Sequence, residues 1–494
     1  MSTLLQSRIF SYAFIAVWLV QAAWLHPYYE PNETYRTWRL AIAPLIIYLA
    51  LTTQSTRLLQ PLEDFMIINY SVVAIPTFHI VCSVIQYAFH RGPVLKSDGG
   101  RKQKSEPVFQ TVSKPTKSES ANPTCSDSTQ VVKNSQKFKS SSKATIAGKL
   151  AKVKASKLTT SDWAIRDKGG NPPSWAELTK WSLGLALSPR CLEYTWAPPA
   201  SVLSRGPRKS VTWFVLEEVV RLINHQIFLI FCGIFALPAT QHPSGVHGYL
   251  TEVYGIPDSA GLRYISPYLL MGTYGAIALH ALSLIGSFWN LVEVVWFTLA
   301  SRLLPKEWAP RKFDTTLYPT LFNNPNFRTS LTEFWGKGWH CIFRRDFMHA
   351  GAGPAAKLAS PLGKKASSLA GVLGAMLMSG IMHEWGLIAI WPEMDYTFQT
   401  TKFFFMCGVG MVIEQIFQVI TGYKVSGNLG RIWLAGWIAW WSRGLMRVWL
   451  ARGIGKSGIR TPCEYTDWSW ARYSIPLGPM LPDRILDFFS FSYA

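Results

Sequence analysis

The sequence has few charged residues for its length. Asp, Glu, Lys and Arg make up 16% of the 494 residues, against about 25% in a soluble globular domain. Apolar residues make up 49%, and several apolar runs approach or exceed the about 20 residues that an α-helix needs to cross a bilayer. The scarcity of charge and the length of these runs predict a protein that spans the membrane several times.

Cysteine is sparse and irregularly spaced, and other common signals are missing. The cysteines are Cys82, Cys125, Cys191, Cys232, Cys341, Cys407 and Cys463. Because no C-x-x-C spacing occurs among them, their pattern predicts neither a metal site nor a disulfide framework. The sequence also lacks the internal repeat that is typical of many transporters and the G-x-S-x-G motif of a serine nucleophile. These absences predict no bound metal and no nucleophilic serine.

Acidic residues are scarcer than basic ones, with 29 Asp and Glu against 49 Lys and Arg, which gives a net charge of +20. Residues 91–168 carry 17 of the basic and six of the acidic residues, so one polar segment holds more than half of the surplus. Its Ser-, Thr- and Lys-rich composition predicts a disordered loop. Its positive charge predicts that this loop lies on the cytosolic side of the membrane. Contact with anionic lipid headgroups is the alternative. Nucleic-acid binding is not expected, because no recognition motif accompanies the charge.

The apolar segments predict an all-α, polytopic transmembrane helical bundle of about eight or nine spanning helices. Residues 1–90 are predicted to hold the N-terminal helices, residues 91–173 the basic loop, and residues 174–494 the membrane domain that carries the chemistry. Residues 175–199, broken by prolines, are predicted to be interfacial. The run at 266–304 is either two helices or one long tilted helix. The predicted spans are residues 9–25, 40–53, 67–89, 211–237, 266–304, 367–391, 401–420 and 429–450.

One ionisable side chain interrupts the last third of the apolar sequence, at His383. An ionisable residue at membrane depth is costly and usually faces a protein interior or a wet cavity, and histidine suits proton transfer near neutral pH. Positions four apart share a helix face, so Gly371, Ala375 and Ser379 form a ridge of small residues that leads to His383. The pattern indicates either a catalytic base or a helix-packing seam that ends in a hydrogen-bonded histidine.

A polar, aromatic segment at residues 326–347 is the second candidate site. Ser330 is a predicted helix N-cap with Glu333 in the capping-box position. Trp335, Trp339 and Phe343 recur every four residues and would form an aromatic stripe on one helix face. The stripe fits either a ligand-binding wall or an amphipathic interfacial helix with an aromatic belt.

Basic side chains accompany these aromatic residues. Lys337, His340, Arg344 and Arg345 lie within nine positions of one another. A cationic cluster beside aromatic rings suits an anionic, ring-bearing ligand such as a nucleotide-linked cofactor. The alternative is that these cations anchor the segment at the membrane surface.

Two motifs together resemble the signatures of wax-synthase-like membrane-bound O-acyltransferases. The first motif is Asn324-Pro325 with Ser330-Leu331-Thr332-Glu333-Phe334-Trp335-Gly336-Lys337-Gly338-Trp339-His340, and the second is Ser379-Gly380-Ile381-Met382-His383-Glu384. A weaker third element is Ser188-Pro189-Arg190-Cys191-Leu192-Glu193-Tyr194-Thr195-Trp196. The resemblance covers residues 175–449 and is closest to fungal members that act on secondary metabolites. The chain departs from many members at Gly338, where they have a second arginine before Trp-His.

The resemblance implies a reaction and a set of roles. His383 would be the base that activates the acceptor hydroxyl, and His340 would orient the donor carbonyl or stabilise the oxyanion. Trp335, Lys337, Trp339, Arg344 and Arg345 would contact acyl-CoA, the co-substrate, with acetyl-CoA favoured. The implied partners are the lipid bilayer, acyl-CoA and a lipophilic alcohol, with no permanently bound cofactor, and the implied location is the endoplasmic reticulum. No covalent intermediate is required, although Cys341 is the one candidate nucleophile.

Several functional alternatives remain open at this point. Within the acyltransferase reading, acetyl transfer to a terpenoid or meroterpenoid alcohol is favoured over synthesis of long-chain wax or sterol esters. A reading from another class is a proton-coupled membrane transporter with His383 in its path, which the missing repeat disfavours. A third is an inactive scaffold, which the retention of both His340 and His383 disfavours.

Overall fold

The computed structural model describes residues 14–57, 59, 66–92, 94, 172–199, 202–203, 209–310, 312–390 and 397–453. Almost all of the basic loop predicted at 91–173 lies outside these ranges, as do the first residues of the span predicted at 9–25. Within the described ranges the extended regular elements are all helices, which agrees with the predicted all-helical class.

Four helices pack together around the N-terminal part of the chain. They are α1 (Phe14–Ala23), α2 (Glu33–Arg57), α3 (Met66–Phe89) and α4 (Trp175–Ala186). Buried apolar side chains from all four share one core. Gln21 of α1 joins its neighbours directly, because its side-chain amide donates to the carbonyl oxygens of Arg39 in α2 at 3.0 Å and Val84 in α3 at 3.3 Å. This bundle fixes the position of α3, which reaches the candidate site.

The long apolar run predicted at 266–304 is a single helix. It is α6 (Ala260–Leu303), which packs along α5 (Val211–Gln241). At 1.5 Å per residue, its 44 residues extend about 66 Å. That length is about twice the hydrocarbon core of a bilayer. Because the helix is continuous over these residues, the structure favours one long helix over the two-helix alternative.

The second half of the chain forms three further long helices. They are α7 (Lys364–Ile390), α8 (Gln399–Thr421) and α9 (Gly427–Ala451). Residues 344–358 run as short helical turns against α7. Their approach is very close, because a Cβ at Gly374 would lie 2.5 Å from the carbonyl oxygen of Gly351. Glycine is therefore required at this contact between backbones.

Five helices among the described residues are long and apolar enough to cross a membrane, namely α3, α5, α6, α7 and α8. Helices α2 and α9 have comparable lengths, but both carry several arginines and are not among the five. The prediction of a polytopic helical membrane protein is therefore supported, whereas the span count of eight or nine stays a prediction.

Candidate active site

The first motif forms a short helical turn that ends abruptly. Ser330 is the N-cap, as predicted, and its hydroxyl oxygen accepts a hydrogen bond from the Glu333 backbone N–H at 3.1 Å. The helix Leu331–Glu333 widens into a π-helical turn, Phe334–Gly338, and the chain is extended at Trp339. The predicted helix through Phe343, with its aromatic stripe, is therefore wrong. Two glycines within this turn lower its helix propensity, and the chain changes direction after them.

A buried carboxylate from α8 holds the start of this turn. Glu414 accepts hydrogen bonds from the backbone N–H groups of Leu331 at 2.6 Å and Thr332 at 2.9 Å, and from the indole N–H of Trp433 at 3.0 Å. N–H groups in the first turn of a helix have no partner within the helix, and a negative charge there is favourable. Glu414 thus fixes the first motif against α8 and α9.

The two tryptophans of the first motif lie on an aromatic wall. The ring centroids of Trp335 and Trp339 are 5.7 Å apart, and Trp335 lies 5.6 Å from Phe404 of α8. Phe343, the third member of the predicted stripe, lies elsewhere and packs 6.1 Å from His79 of α3. The structure therefore separates a stripe that four-residue spacing had placed on one helix face.

The departure from the family pattern at Gly338 has a steric explanation. A Cβ at this position would lie 2.9 Å from Cγ of Arg328 and 3.2 Å from Cα of Pro325. The carbonyl oxygen of Gly338 also accepts a hydrogen bond from the Asn323 backbone N–H at 2.9 Å. The turn therefore packs against residues 323–328 through backbone that carries no side chain.

We expect Gly338→Ala to lower the free energy of unfolding by about 1–3 kcal/mol, because the added methyl group overpacks this contact. Gly336→Ala is the matched control, since it lies in the same turn and a Cβ there would meet nothing within 4 Å. The thermal unfolding midpoints of the two detergent-purified variants measure the difference. Equal midpoints would show that the contact at Gly338 is not tight.

His340 follows the turn and points a ring nitrogen into the protein interior. Its Nδ1 is buried without a hydrogen-bond partner among the residues that the structure describes. Its ring lies 5.7 Å from Phe322 and 5.8 Å from Trp339. Burial, and then the positive charge of Arg190, lower the pKa of His340 to about 4. His340 is therefore a neutral imidazole near pH 7, with one nitrogen available to a bound molecule.

His383 lies on α7 between a tyrosine of α3 and a phenylalanine of α8. Its Nδ1 is 2.5 Å from the hydroxyl oxygen of Tyr70. Its ring stacks on Phe404 with centroids 4.5 Å apart and planes 3° from parallel, and Trp449 of α9 lies 6.2 Å away. The imidazole is therefore held in one orientation, with Nδ1 occupied and Nε2 left for other chemistry.

The residues around His383 explain why the second motif has its sequence. A Cβ at Gly380 would lie 2.7 Å from Cα of Thr401, so the first turn of α8 touches the backbone of α7. Four residues later, Glu384 accepts hydrogen bonds from the backbone N–H of Thr401 at 3.1 Å and from its hydroxyl at 3.2 Å. Gly380 and Glu384 fix α8 against α7, and this places Phe404 against the imidazole.

The ridge of small residues on α7 packs against a different segment. A Cβ at Gly371 would lie 3.5 Å from the carbonyl oxygen of Ala352, and Ser379 is buried. The beginning of the ridge therefore packs against another segment, as the helix-packing alternative predicts. His383 lies beyond it, against α3 and α8.

The structure brings the two motif histidines to one aromatic cluster. Phe404 stacks on His383 and contacts Trp335, and Trp335 contacts Trp339, which lies beside His340. His340 and His383 are close enough to interact electrostatically. Two imidazoles from distant parts of the sequence therefore share one largely apolar environment.

The predicted cationic residues have three different environments. Lys337 is exposed on the turn. Arg344 is half-buried, and its guanidinium has no hydrogen bond to any residue that the structure describes. Arg345 is only 6% exposed, and donates to the hydroxyl of Ser83 and the sulfur of Cys191, both at 2.8 Å. Lys337 and Arg344 are available to an anion, whereas Arg345 is engaged inside the protein.

Cys341 is partly buried beside Arg190. Burial raises the pKa of its thiol, although the nearby charges of Arg190 and Arg344 oppose this effect. A protonated thiol is a weak nucleophile. The environment therefore gives no support to Cys341 as a nucleophile.

Sequence reasoning gave no role to two residues of this region. Arg190 belongs to the third, weaker motif, and it donates to the carbonyl oxygen of Pro319 at 3.2 Å and lies beside His340. Tyr70 lies 313 positions before His383. It lies in an apolar segment and belongs to neither motif, so no local signal distinguishes Tyr70.

Comparison with known proteins shows what this site is similar to. Residues 318–407, which contain both motifs, match the family model described as "Membrane bound O-acyl transferase family". The part of the chain that carries both motifs is therefore similar to this family. This result confirms the resemblance seen in the sequence and the prediction of an O-acyltransferase enzyme.

Three curated proteins are similar to parts of this chain. Acetyltransferase ple2 of Rhodocybe pseudopiperita is 23% identical over 283 residues, which are 55% of this chain and 67% of that protein. Probable long-chain-alcohol O-fatty-acyltransferase 2 of Arabidopsis thaliana is 33% identical over 25% of this chain and 34% of its own length. Acyl-CoA–sterol O-acyltransferase 1 of Arabidopsis thaliana is 31% identical over 18% of this chain and 26% of its own length. No solved structure matches the chain.

Proposed function

We propose that this protein transfers an acyl group from acyl-CoA to a hydroxyl group of a lipophilic acceptor, with His383 as the general base. The observation that carries the proposal is the meeting of His340 and His383 at one aromatic cluster inside the helical bundle. A base beside a second imidazole, away from bulk water, suits acyl transfer to an alcohol. Water at such a site would hydrolyse the thioester.

The proposed reaction is a direct transfer. The oxygen of the acceptor alcohol forms a bond to the thioester carbonyl carbon while Nε2 of His383 takes the hydroxyl proton. The tetrahedral intermediate then breaks its carbon–sulfur bond. The departing thiolate takes the proton from the imidazolium, so that coenzyme A leaves as the free thiol and the ester remains. Neither Cys341 nor any other nucleophile forms a covalent intermediate.

We propose that His340 contacts the donor carbonyl. The oxyanion that forms on attack needs a hydrogen-bond donor that is already in place. A neutral imidazole carries one N–H and one lone pair, and the Nδ1 of His340 is buried without a partner among the described residues. The nearby positive charge of Arg190 would further stabilise a developing oxyanion.

The proposed donor contacts are a subset of those predicted from the sequence. Trp335 and Trp339 form the wall beside the two histidines, and would line the path of the acyl thioester. Lys337 and Arg344 have no internal anionic partner among the described residues and would contact the phosphates of coenzyme A. Arg345 is left out, because its guanidinium is engaged with Ser83 and Cys191.

We propose that the donor is acetyl-CoA and that the acceptor is a terpenoid or meroterpenoid alcohol. The longest of the three alignments above is with a fungal protein named as an acetyltransferase, which supports a short acyl group. The two plant relatives are named for fatty-acyl transfer to long-chain alcohols and for acyl transfer to sterols, and they keep the wax and sterol ester alternatives open. We further propose eight or nine membrane spans and residence in the endoplasmic reticulum.

The donor and the acceptor can be tested together in membranes from a host that expresses the chain. Labelled acetyl-CoA or palmitoyl-CoA is incubated with a panel of terpenoid, sterol and fatty alcohols, and membranes from the same host without the chain are the control. We expect ester to form from acetyl-CoA and a terpenoid alcohol. Ester from palmitoyl-CoA alone would assign the protein to wax or sterol ester synthesis. No ester from any pair, with the protein correctly inserted, would contradict the proposal and favour the transporter alternative.

A further inference from the structure

Tyr70 of α3 makes the one polar contact to His383 that the structure describes. Its hydroxyl oxygen lies 2.5 Å from Nδ1 of the imidazole. The two rings are 18° from parallel, with centroids 6.3 Å apart, and Trp449 of α9 packs against the Tyr70 ring at 5.7 Å. Tyr70 therefore meets His383 at a ring nitrogen, whereas Phe404 stacks on the ring face.

Three features of the chain hold Tyr70 in this place. It lies in a π-helical stretch of α3, Asn69–Ala74, and such stretches occur frequently at functional sites. The neighbouring Asn69 is fully buried, and its side-chain amide makes hydrogen bonds of 2.8 and 3.0 Å to the backbone N–H and carbonyl of Leu59. Opposite the ring, a Cβ at Gly386 would lie 2.2 Å from Cε2 of Tyr70. Glycine at position 386 therefore leaves room on the surface of α7 for the tyrosine ring.

We infer that Tyr70 is a positioning residue for the base, an inference that rests on the proposed function of His383. A neutral imidazole whose Nε2 accepts a proton carries its own hydrogen on Nδ1. In that tautomer the hydroxyl oxygen of Tyr70 accepts a hydrogen bond from Nδ1–H, which orients the ring with Nε2 toward the acceptor. Once Nε2 has taken the acceptor's proton, the same bond stabilises the imidazolium. The arrangement resembles the orienting bond to the second nitrogen of a catalytic histidine in hydrolase triads, with a neutral phenol in place of a carboxylate.

This inference assigns α3 to the active site. The family match covers residues 318–407, and the sequence resemblance begins at residue 175, so both omit α3. The hydrogen bond of Tyr70 nevertheless reaches the imidazole from this helix. The N-terminal bundle of α1 to α4 therefore helps to orient the base through α3.

The test is Tyr70→Phe, which keeps the ring and its packing and removes only the hydroxyl. A hydrogen bond to a charged group contributes enough free energy to lower kcat by about 10- to 100-fold when it is lost. We expect that fall in kcat, per folded enzyme, with an unchanged KM for acyl-CoA. The matched control is Tyr274→Phe in α6, which removes a hydroxyl that bonds to Thr240 at 2.8 Å and should leave kcat unchanged.

Three outcomes can be distinguished when His383→Ala is measured beside these variants. An inactive His383→Ala, a slow Tyr70→Phe and a normal Tyr274→Phe would support the inference. A normal kcat for Tyr70→Phe, or a loss that scales with the amount of folded protein, would overturn it and leave the proposed function in place. An active His383→Ala would overturn the proposed function itself.

Discussion

Replacement of His383 by alanine is expected to lower the rate of ester formation by about 10²- to 10⁴-fold, the range associated with loss of a general base. Nε2 of this imidazole is the proposed proton acceptor, and the ring is held between Tyr70 and Phe404. The imidazole makes no polar contact apart from that with Tyr70 among the described residues. The amount of folded protein should therefore change little. The measurement is initial ester formation per amount of protein in the membrane.

The matched control for this variant is His225→Ala. His225 also lies in an apolar helix, α5, and its Nδ1 is 2.9 Å from Nδ1 of His280 in α6, so it loses a comparable polar contact. We expect His225→Ala to retain most of the activity. If His383→Ala reduced the protein level and the activity in proportion, His383 would be a packing residue and the helix-seam interpretation would be correct.

Replacement of Glu414 by glutamine is expected to destabilise the protein by about 2–4 kcal/mol. The carboxylate oxygens accept from three N–H groups, those of Leu331, Thr332 and the Trp433 indole. An amide has only one acceptor oxygen, so its NH₂ group would face a buried N–H donor, and hydrogen bonds to a charged group would be lost. Because these bonds hold the turn that leads to His340, activity should fall as well. The thermal unfolding midpoint and the ester yield measure the two effects.

Glu252→Gln is the control, because it removes the charge of a carboxylate that lies at the surface rather than in the interior. The side chain of Glu252 is 59% exposed, and its ion-pair distance to Nε2 of His242 is 3.7 Å. An exposed pair of this kind contributes about 0–1 kcal/mol, so this variant should unfold close to the wild-type midpoint. A similar midpoint for Glu414→Gln would mean that Glu414 does not anchor the first motif.

Several helices could be predicted well from the sequence, because their signal is local. The apolar runs predicted at 67–89, 211–237 and 401–420 correspond to α3, α5 and α8. Hydrophobic length is a property of consecutive residues, and the requirement that backbone groups in lipid be satisfied makes such runs helical. The N-cap at Ser330 was predictable for the same reason, since a cap concerns residues only three positions apart.

Other features were decided by contacts between distant residues. Four-residue spacing predicted a helix through Trp335, Trp339 and Phe343, but the chain turns at Trp339, where Gly338 packs on residues 323–328. Arg345 looked as available as Arg344 in the sequence. Only the packing of α3 and of the loop after α4 against residues 344–346 engages Arg345 with Ser83 and Cys191.

The sequence by itself determined the helical membrane class, the two motifs and the resemblance to O-acyltransferases, because each depends on short segments of the chain. The tertiary structure decided the environment of the two imidazoles. Tyr70, Phe404 and Trp449 come from three different helices, and nothing in their local sequence marks them as neighbours of His383. The orientation of a side chain depends on what packs against it, and those neighbours are set by the packing of whole helices rather than by the residues beside it in the chain.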